Sequence, residues 1–169
     1  MPQKIKNLKD LLIEETRELY LSNKQELKEL SNIEKVATSA DLKKFINKQI
    51  VASVAQQEKL DEVLKKLNYV VKRGKSETTK SILNLAQQRI KQSSEPSVRD
   101  AGIVNSLQYL SHRKIAGFGS GAAYANQIGQ KETAKIFHTA LKEEKKIDAQ
   151  LSKLAERELN KKASISVLV

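Results

Sequence analysis

The chain has no cysteine, no tryptophan and only two histidines among its 169 residues. Without cysteine it can form no disulfide and no thiolate zinc or iron–sulfur site, and two histidines cannot supply a site built mainly on imidazole. Any metal site would therefore be rich in carboxylates. No stretch approaches the roughly 20 apolar residues of a membrane span, and Met1 to Asp10 lacks the apolar core of a secretory signal. We therefore expect a cytoplasmic protein that does not engage a membrane.

Positive charge is in excess, with 31 lysine and arginine residues against 20 aspartate and glutamate residues and a formal charge of +11. Such a field can attract nucleic acid, as in basic bundles of the Dps type, or anionic lipid. Many cations, however, stand three or four residues from an acid, which is typical of solvated helix faces. Lys59 and Lys66 have this spacing from Glu62, beside Glu58, and Glu26, Lys28 and Glu29 form a similarly mixed charged run. Because aromatic RNA-binding clusters and glycine-rich phosphate loops are absent, nucleic-acid association stays an alternative interpretation.

Near the end of the chain, residues at alternating spacings of three and four predict the buried seam of a long helix from about Lys131 to about Lys162. The seam consists of Ala134, Phe137, Leu141, Glu144, Asp148, Leu151 and Ala155. Glu144 and Asp148 stand where apolar residues belong. A carboxylate inside a bundle core requires a cation, a hydrogen-bond donor or a proton, so both need partners.

Two earlier helices also carry polar residues on their seams. The first is predicted from about Asn7 to about Ser31, with Glu15 inside a stripe formed by Leu8, Leu11, Leu12 and Leu19. The second follows a break at Thr38 and Ser39. Its seam consists of Leu42, Phe45, Gln49, Ala52, Gln56, Leu60, Val63 and Leu67. Gln49 and Gln56 are therefore expected in a polar layer at mid-length.

A third long helix is predicted from Pro96 to about Ile128, since proline is tolerated in a first helical turn. Its seam consists of Ile103, Leu107, Leu110, Lys114, Gly117, Gly121 and Tyr124. Its glycines and alanines indicate a close helix contact, either with a second subunit or within the chain's own core. A loop over residues 68–75 and a short helix over residues 77–92 separate the second and third long helices. Such a crossover predicts an all-α, ferritin-like four-helix bundle over residues 1–163. Residues 164–169 form a tail that is either frayed or a strand-like docking peptide.

Three segments have distinctive residue orders: Leu-Tyr-x-x-x-Lys-Gln at residues 19–25, Val-Arg-Asp-Ala at residues 98–101 and Glu-Glu-Lys-x-x-Asp at residues 143–148. In these segments the chain resembles the YciE/YciF family of ferritin-like bacterial stress proteins. The resemblance extends from Ile5 to about Ala163. It implies a homodimer, a stress-linked role and, in typical members, a dinuclear metal site between the helices.

The chain keeps only part of the ligand set that the resemblance implies. Glu15 matches the family's glutamate on the first helix, and Glu143, Glu144 and Asp148 match the acidic run on the last. The acidic run of the second helix, however, falls on residues 51–54, which are Val-Ala-Ser-Val. On the third helix, Glu-His-x-Glu falls on residues 111–114, which are Ser-His-Arg-Lys, so both glutamates are absent.

The charges of the remaining candidate ligands distinguish a dinuclear metal site from an ion-pair site. Glu15, Glu144 and Asp148 supply at most three negative charges against four on two divalent ions. A lysine ammonium about 4 Å from such an ion would be repelled by several kcal/mol at an effective dielectric near 20. The sequence therefore predicts that Lys114 fills the vacated space and neutralises Glu144, Asp148 or Glu15.

Three hypotheses follow. The favoured one is a non-enzymatic stress-associated protein without a cofactor, acting as a homodimer or with another protein, whose dimetal site has become a layer of Gln49, Gln56, His112 and Lys114. In the second, Glu15, Glu144 and Asp148, with or without His112, bind iron or manganese for oxidase or metal-handling activity. In the third, the basic surface binds nucleic acid. Two simpler interpretations are that Glu15 reaches solvent at a helix edge and that His112 is a hydrogen-bonded flank of the layer.

Overall fold

The computed structural model describes residues 4–167, which are helical with short connections and contain no strand. The helices are α1 (Leu8–Val36), α2 (Ala40–Lys66), α3 (Glu77–Gln92), α4 (Pro96–Gln127) and α5 (Lys131–Leu154). Beyond α5 the chain continues through a π-helical segment (Ala155–Leu159), α6 (Asn160–Ser164) and a 3-10 helix (Ile165–Val167). The predicted all-α class is confirmed. Within the described residues no helix is both apolar and long enough to cross a bilayer.

Local sequence sets the helix ends. The side chains of Asn7, Ser39 and Ser76 each accept a hydrogen bond from the backbone N–H three residues further on, at the starts of α1, α2 and α3. Pro96 occupies the first turn of α4. After α4, Gly129 has φ +75°, a left-handed conformation that glycine adopts without a Cβ penalty. These signals place the four long helices and the crossover helix.

The four long helices form the bundle, with α1 and α2 as one antiparallel hairpin and α4 and α5 as the other. One apolar cluster contains Leu12, Leu60, Phe118 and Phe137, and the second contains Leu30, Leu42, Ile103 and Leu151. Crossover helix α3 packs outside the bundle, against α4 and α1. A polar layer therefore lies between two apolar halves of one core, at the middle of the bundle.

The seam of α1 differs from the prediction. Its buried positions include Leu12, Thr16, Leu19, Asn23, Glu26, Leu30 and Ile33. They recur at alternating spacings of four and three, and Glu15 lies beside this row rather than in it. The prediction that placed Glu15 on the seam is therefore wrong, because the buried face of α1 is rotated about the helix axis relative to the predicted one. Helix α1 also continues to Val36, five residues past the predicted end, because Ile33 still packs in the core.

The buried seam of α2 also differs from the predicted one, at two positions that are each shifted by one residue. Ile46 and Ser53 are buried, whereas Phe45 is half-buried and Ala52 is exposed. The corrected seam thus brings Gln49 and Ser53 toward the bundle centre, one turn apart.

Two glycines of α4, Gly117 and Gly121, lie inside the chain's own core. A Cβ on Gly117 would come within 2.6 Å of Glu15 Oε1 and 2.8 Å of Leu19 Cδ2, and one on Gly121 within 2.6 Å of the Phe137 ring. Of the two roles that the sequence left open for this stripe, close packing within the bundle accounts for these two positions. The homodimer stays a prediction.

The two hairpins are joined at one end by a side chain. Asp100, in the first turns of α4, accepts hydrogen bonds from Thr38 N (2.9 Å), Thr38 Oγ1 (2.6 Å) and Ser39 N (2.7 Å) in the turn between α1 and α2. Asp100 is 2% exposed. The carboxylate therefore satisfies turn amides that would otherwise lack partners.

The tail contains the 3-10 helix, in which Ile165 and Val167 are exposed. The strand-like alternative is therefore wrong for residues 165–167, since they continue the helical path of α6. Leu168 and Val169, which complete the predicted tail, lie outside the described residues.

Candidate functional site

A lysine ammonium sits between two buried carboxylates at the centre of the bundle. Lys114 Nζ on α4 lies 3.0 Å from Glu26 Oε2 and 3.1 Å from Glu26 Oε1 on α1, and 2.9 Å from Glu144 Oε1 on α5. Lys114 is 1% exposed, Glu26 2% and Glu144 0%. One cation therefore ties three helices together inside the core. We call these three residues the ion-pair layer.

Neutral side chains complete the hydrogen bonding of Glu144. Gln56 Nε2 on α2 donates to Glu144 Oε1 at 3.1 Å, and Ser111 Oγ on α4 lies 3.1 Å from Glu144 Oε2, as a donor. Gln49 on α2 lowers the pKa of Glu26, against the larger effect of burial. All four long helices thus contribute to the site, which limits the cost of removing its charges from water.

The charged groups of the ion-pair layer shift one another's pKa. Burial disfavours the ammonium of Lys114, but the adjacent Glu26 and Glu144 outweigh burial and raise the pKa of Lys114 above its usual range. Burial also raises the pKa of Glu26 above 4.5, opposed by Lys114 and reinforced by Glu144. Lys114 therefore stays charged at neutral pH, and Glu26 takes up a proton more readily than an ordinary glutamate.

The position of Glu26 follows from a seven-residue repeat. Leu12, Leu19, Glu26 and Ile33 are spaced by seven, and all four are buried. Sequence reasoning missed Glu26 because its neighbours Lys28 and Glu29 make a charged, apparently solvated pattern. The repeat through Leu12 and Leu19 is the signal that could have found it.

The other predicted ligands lie outside this layer. Glu15, with a side chain 27% exposed, faces Arg113, whose Nη1 is 3.7 Å from Glu15 Oε1. Burial raises the pKa of Glu15, and the Arg113 guanidinium opposes that rise. Lys114 thus contacts Glu144 but neither Glu15 nor Asp148, and its second carboxylate is the unpredicted Glu26.

Asp148 and His112 form a pair at the edge of the bundle. His112 Nε2 lies 3.2 Å from Asp148 Oδ1, and the two side chains are 64% and 23% exposed, respectively. The prediction that placed His112 in the buried layer is therefore wrong. His112 lies two residues before Lys114, so its side chain points to the side of α4 away from the buried seam. Asp148 falls at the margin of the α5 seam rather than at its centre.

The chain is similar to known proteins over most of its length. A family model described as Domain of unknown function (DUF892) matches residues 7–164. The chain belongs to the DUF892 family. Protein YciF of Escherichia coli K12 is 28% identical to this DUF892 chain over 160 residues, which cover 94% of the chain and 96% of YciF. The resemblance to the YciE/YciF family is thereby confirmed.

Two solved structures share the whole DUF892 fold. The crystal structure of the E. coli stress protein YciF is 27% identical, covers 93% of this chain and 99% of YciF, and gives a TM-score of 0.87. YcfI from Rhodopseudomonas palustris is also 27% identical, with 90% and 97% coverage and a TM-score of 0.85. The ferritin-like bundle with a crossover helix is thus the shared architecture.

A dimetal cluster does not fit the side chains at the centre of this DUF892 chain. Lys114 places a positive charge against both buried carboxylates, and Ser111 occupies another position where the resemblance implies a glutamate. Glu15 and Asp148 are engaged elsewhere, with Arg113 and His112. Within the described residues no three histidine, aspartate or glutamate side chains converge as a metal site would require.

A groove of about 710 Å³ runs between α2 and α5 beside the layer. Leu60, Phe118 and Phe137 contribute apolar walls, and Gln56, which binds Glu144, also lines it. The groove therefore borders Gln56, a hydrogen-bond donor to Glu144 of the ion-pair layer.

Proposed function

We propose that this DUF892 chain is a non-enzymatic, stress-associated bundle in which the ion-pair layer takes the place of a dimetal centre. The observation that supports this proposal is the position of Lys114 Nζ, which lies within 3.1 Å of carboxylates on two facing helices. Support for the stress role comes from E. coli YciF, which is named a stress protein, and support for the structural role from YcfI, described as a candidate structural protein.

The layer has a structural use in this proposal. An ammonium that must meet Glu26 on α1 and Glu144 on α5 fixes the relative positions of both helices along α4. Sliding either helix by one turn, about 5.4 Å, would leave a buried charge without a partner. The layer thus specifies one register of the bundle, and the protein acts through surfaces that the bundle presents to itself or to another protein.

Metal loading tests the proposal. Protein purified without chelator is incubated with Fe(II) or Mn(II) in air, desalted and assayed by elemental analysis. We expect substantially less than one ion per chain, because Lys114 repels a divalent ion at the centre. Two retained ions with an oxo-bridged absorption band would contradict the proposal and favour the oxidase or metal-handling alternative.

A charge reversal sharpens that test. Lys114→Glu moves this position toward the family's ligand pattern and should raise metal retention above that of the parent. Lys28→Glu changes net charge equally at an exposed position of α1 and should leave metal retention unchanged. Equal gains in both variants would show nonspecific surface binding.

Complementation separates a structural role from a residual metal role. In a host strain lacking the gene, the wild-type chain should restore any lost stress survival. The double variant Glu15→Gln and Asp148→Asn should restore it equally, because both residues lie outside the ion-pair layer. Failure of this variant despite normal folding would favour the metal-dependent alternative.

A further inference from the structure

The solvent-facing side of α5 carries a row of lysines. We define the basic face as Lys131, Lys135, Lys142, Lys145, Lys146 and Lys153, all exposed. At 100° per residue five of these positions fall on the side opposite buried Phe137 and Glu144, and Lys145 lies at the edge of that side. His138 is exposed on the same side, and the acids Glu132 and Glu143 lie on its flank toward the α2 groove.

The basic face differs from α2 in its ion pairs, although four of its lysines stand three residues from an acid in the sequence. On α2, Lys59 and Lys66 each lie 3.0 Å from Glu62, and Lys65 lies 2.6 Å from Asp61. Within residues 4–167, by contrast, no lysine of the basic face forms a salt bridge. Within the described residues the six ammonium groups thus have no direct ion-pair partner and can meet an external anion.

The dimensions of the basic face match duplex DNA. From Lys131 to Lys153 a straight helix rises about 33 Å, close to the 34 Å of one turn of B-form DNA. Neighbouring lysines such as Lys145 and Lys146 diverge by about 100° around the helix, so they point to opposite sides of the row. A row of this length, laid along the duplex, crosses the two phosphate backbones that bound a major groove about 12 Å wide and can contact phosphates at each crossing.

We propose that the basic face of α5 binds the phosphate backbone of duplex DNA without sequence preference. Lysine neutralises phosphates as a point charge, and the face has no arginine, asparagine or glutamine row positioned to read base edges. A bilayer fits less well, because the large exposed apolar residues among those described lie outside α5 and nothing on the basic face could insert between lipids. This inference concerns a separate surface and is independent of the ion-pair layer.

Salt dependence of binding to a 30-base-pair duplex of mixed sequence tests the proposal. Six phosphate contacts predict a slope of about −5 for log K against log salt, which corresponds to roughly a 10³-fold loss of affinity between 50 and 200 mM NaCl. The triple variant Lys135→Gln, Lys142→Gln and Lys146→Gln should bring the slope to about half that value. Fluorescence anisotropy of labelled DNA gives both quantities.

A charge-matched triple variant controls for net charge. Lys59→Gln, Lys65→Gln and Lys66→Gln removes the same charge from paired lysines of α2 and should leave the slope unchanged. Equal loss in both triple variants would overturn the assignment to α5, and absence of salt-dependent binding would overturn DNA binding itself. Binding to vesicles with 30% phosphatidylserine, without DNA binding in the same buffer, would also overturn it and assign the face to a membrane surface.

Discussion

Lys114 stabilises the chain mainly through the charges that it balances. In Lys114→Ala, Glu26 and Glu144 would stay buried without their shared cation, so we expect the free energy of unfolding to fall by roughly 3 to 5 kcal/mol at neutral pH. Denaturant unfolding measures this difference. Lys28→Ala, at an exposed position of α1, should cost under about 0.5 kcal/mol. If both variants unfold like the parent, the ion-pair layer does not hold the bundle together.

Glu26 gives the layer a pH dependence of defined sign. Because the folded-state pKa of Glu26 is raised above 4.5, the folded chain binds this proton more tightly than the unfolded chain does. The contribution of Glu26 to stability therefore falls as pH rises from the unfolded pKa through the folded one. Glu26→Gln keeps a hydrogen-bond acceptor for Lys114 without this penalty.

We expect Glu26→Gln to match the parent near pH 4 and to gain stability relative to it as pH rises toward 8. Thermal unfolding in a series of buffers checks the trend. Glu58→Gln removes an exposed carboxylate from α2 and should show no comparable trend. A relative stability of Glu26→Gln that falls with rising pH would mean that the ionised carboxylate stabilises the fold.

Sequence reasoning at this scale found the cation but only one of its two partners. Lys114 and Glu144 each lie on a row of residues with clear alternating spacings of three and four, and the structure brings the two side chains together. Glu26 was assigned to a solvated face and Glu15 to the core, since the leucines at residues 8, 11 and 12 suggested the wrong face of α1. Helix phase over one or two turns is ambiguous, and the four-turn repeat through Glu26 was needed to resolve it.

At the scale of the helix, Gly121 and Gly119 offer a matched comparison on α4. Gly121→Ala would bring its new methyl group to 2.6 Å from two atoms of the buried Phe137 ring, whose centroid is 5.8 Å from that of Phe118. We expect a loss of about 1 to 3 kcal/mol from overpacking, despite better helix propensity. Denaturant unfolding measures it.

Gly119→Ala meets only Leu141 Cδ2, at 3.9 Å, which is ordinary contact. This variant should gain about 0.5 to 1 kcal/mol from helix propensity. Equal stabilisation of both alanine variants would show that the Phe137 ring moves aside easily and that Gly121 is not needed for close packing.

The helix starts were predicted more accurately than the helix ends or the contacts. The starts of α2, α3 and α4 carry serine or proline signals, and the observed helices begin at Ala40, Glu77 and Pro96. The π-helical segment over Ala155–Leu159 was not predicted, since one extra residue per turn leaves no distinct composition. Local capping chemistry can be read from sequence, whereas a register change within a helix depends on packing.

At the scale of the molecule, we expect a homodimer, as the resemblance to the YciE/YciF family implies. Light scattering at micromolar concentration should give about twice the chain mass of 19.0 kDa. A 19.0 kDa species would count against the dimer. Because a Cβ at Gly121 would meet the buried Phe137 ring within the chain, Gly121→Ala should destabilise the fold rather than selectively dissociate the dimer.

The bridge from Asp100 to the turn between α1 and α2 makes that turn a reporter of large-scale opening. The amides of Thr38 and Ser39 belong to a short connection, where hydrogen exchange is usually fast. Here both donate to a carboxylate 62 and 61 residues away, on the other hairpin. Their exchange with solvent deuterium therefore requires the bridge to the other hairpin to open, so these amides should exchange more slowly than their position in a turn suggests.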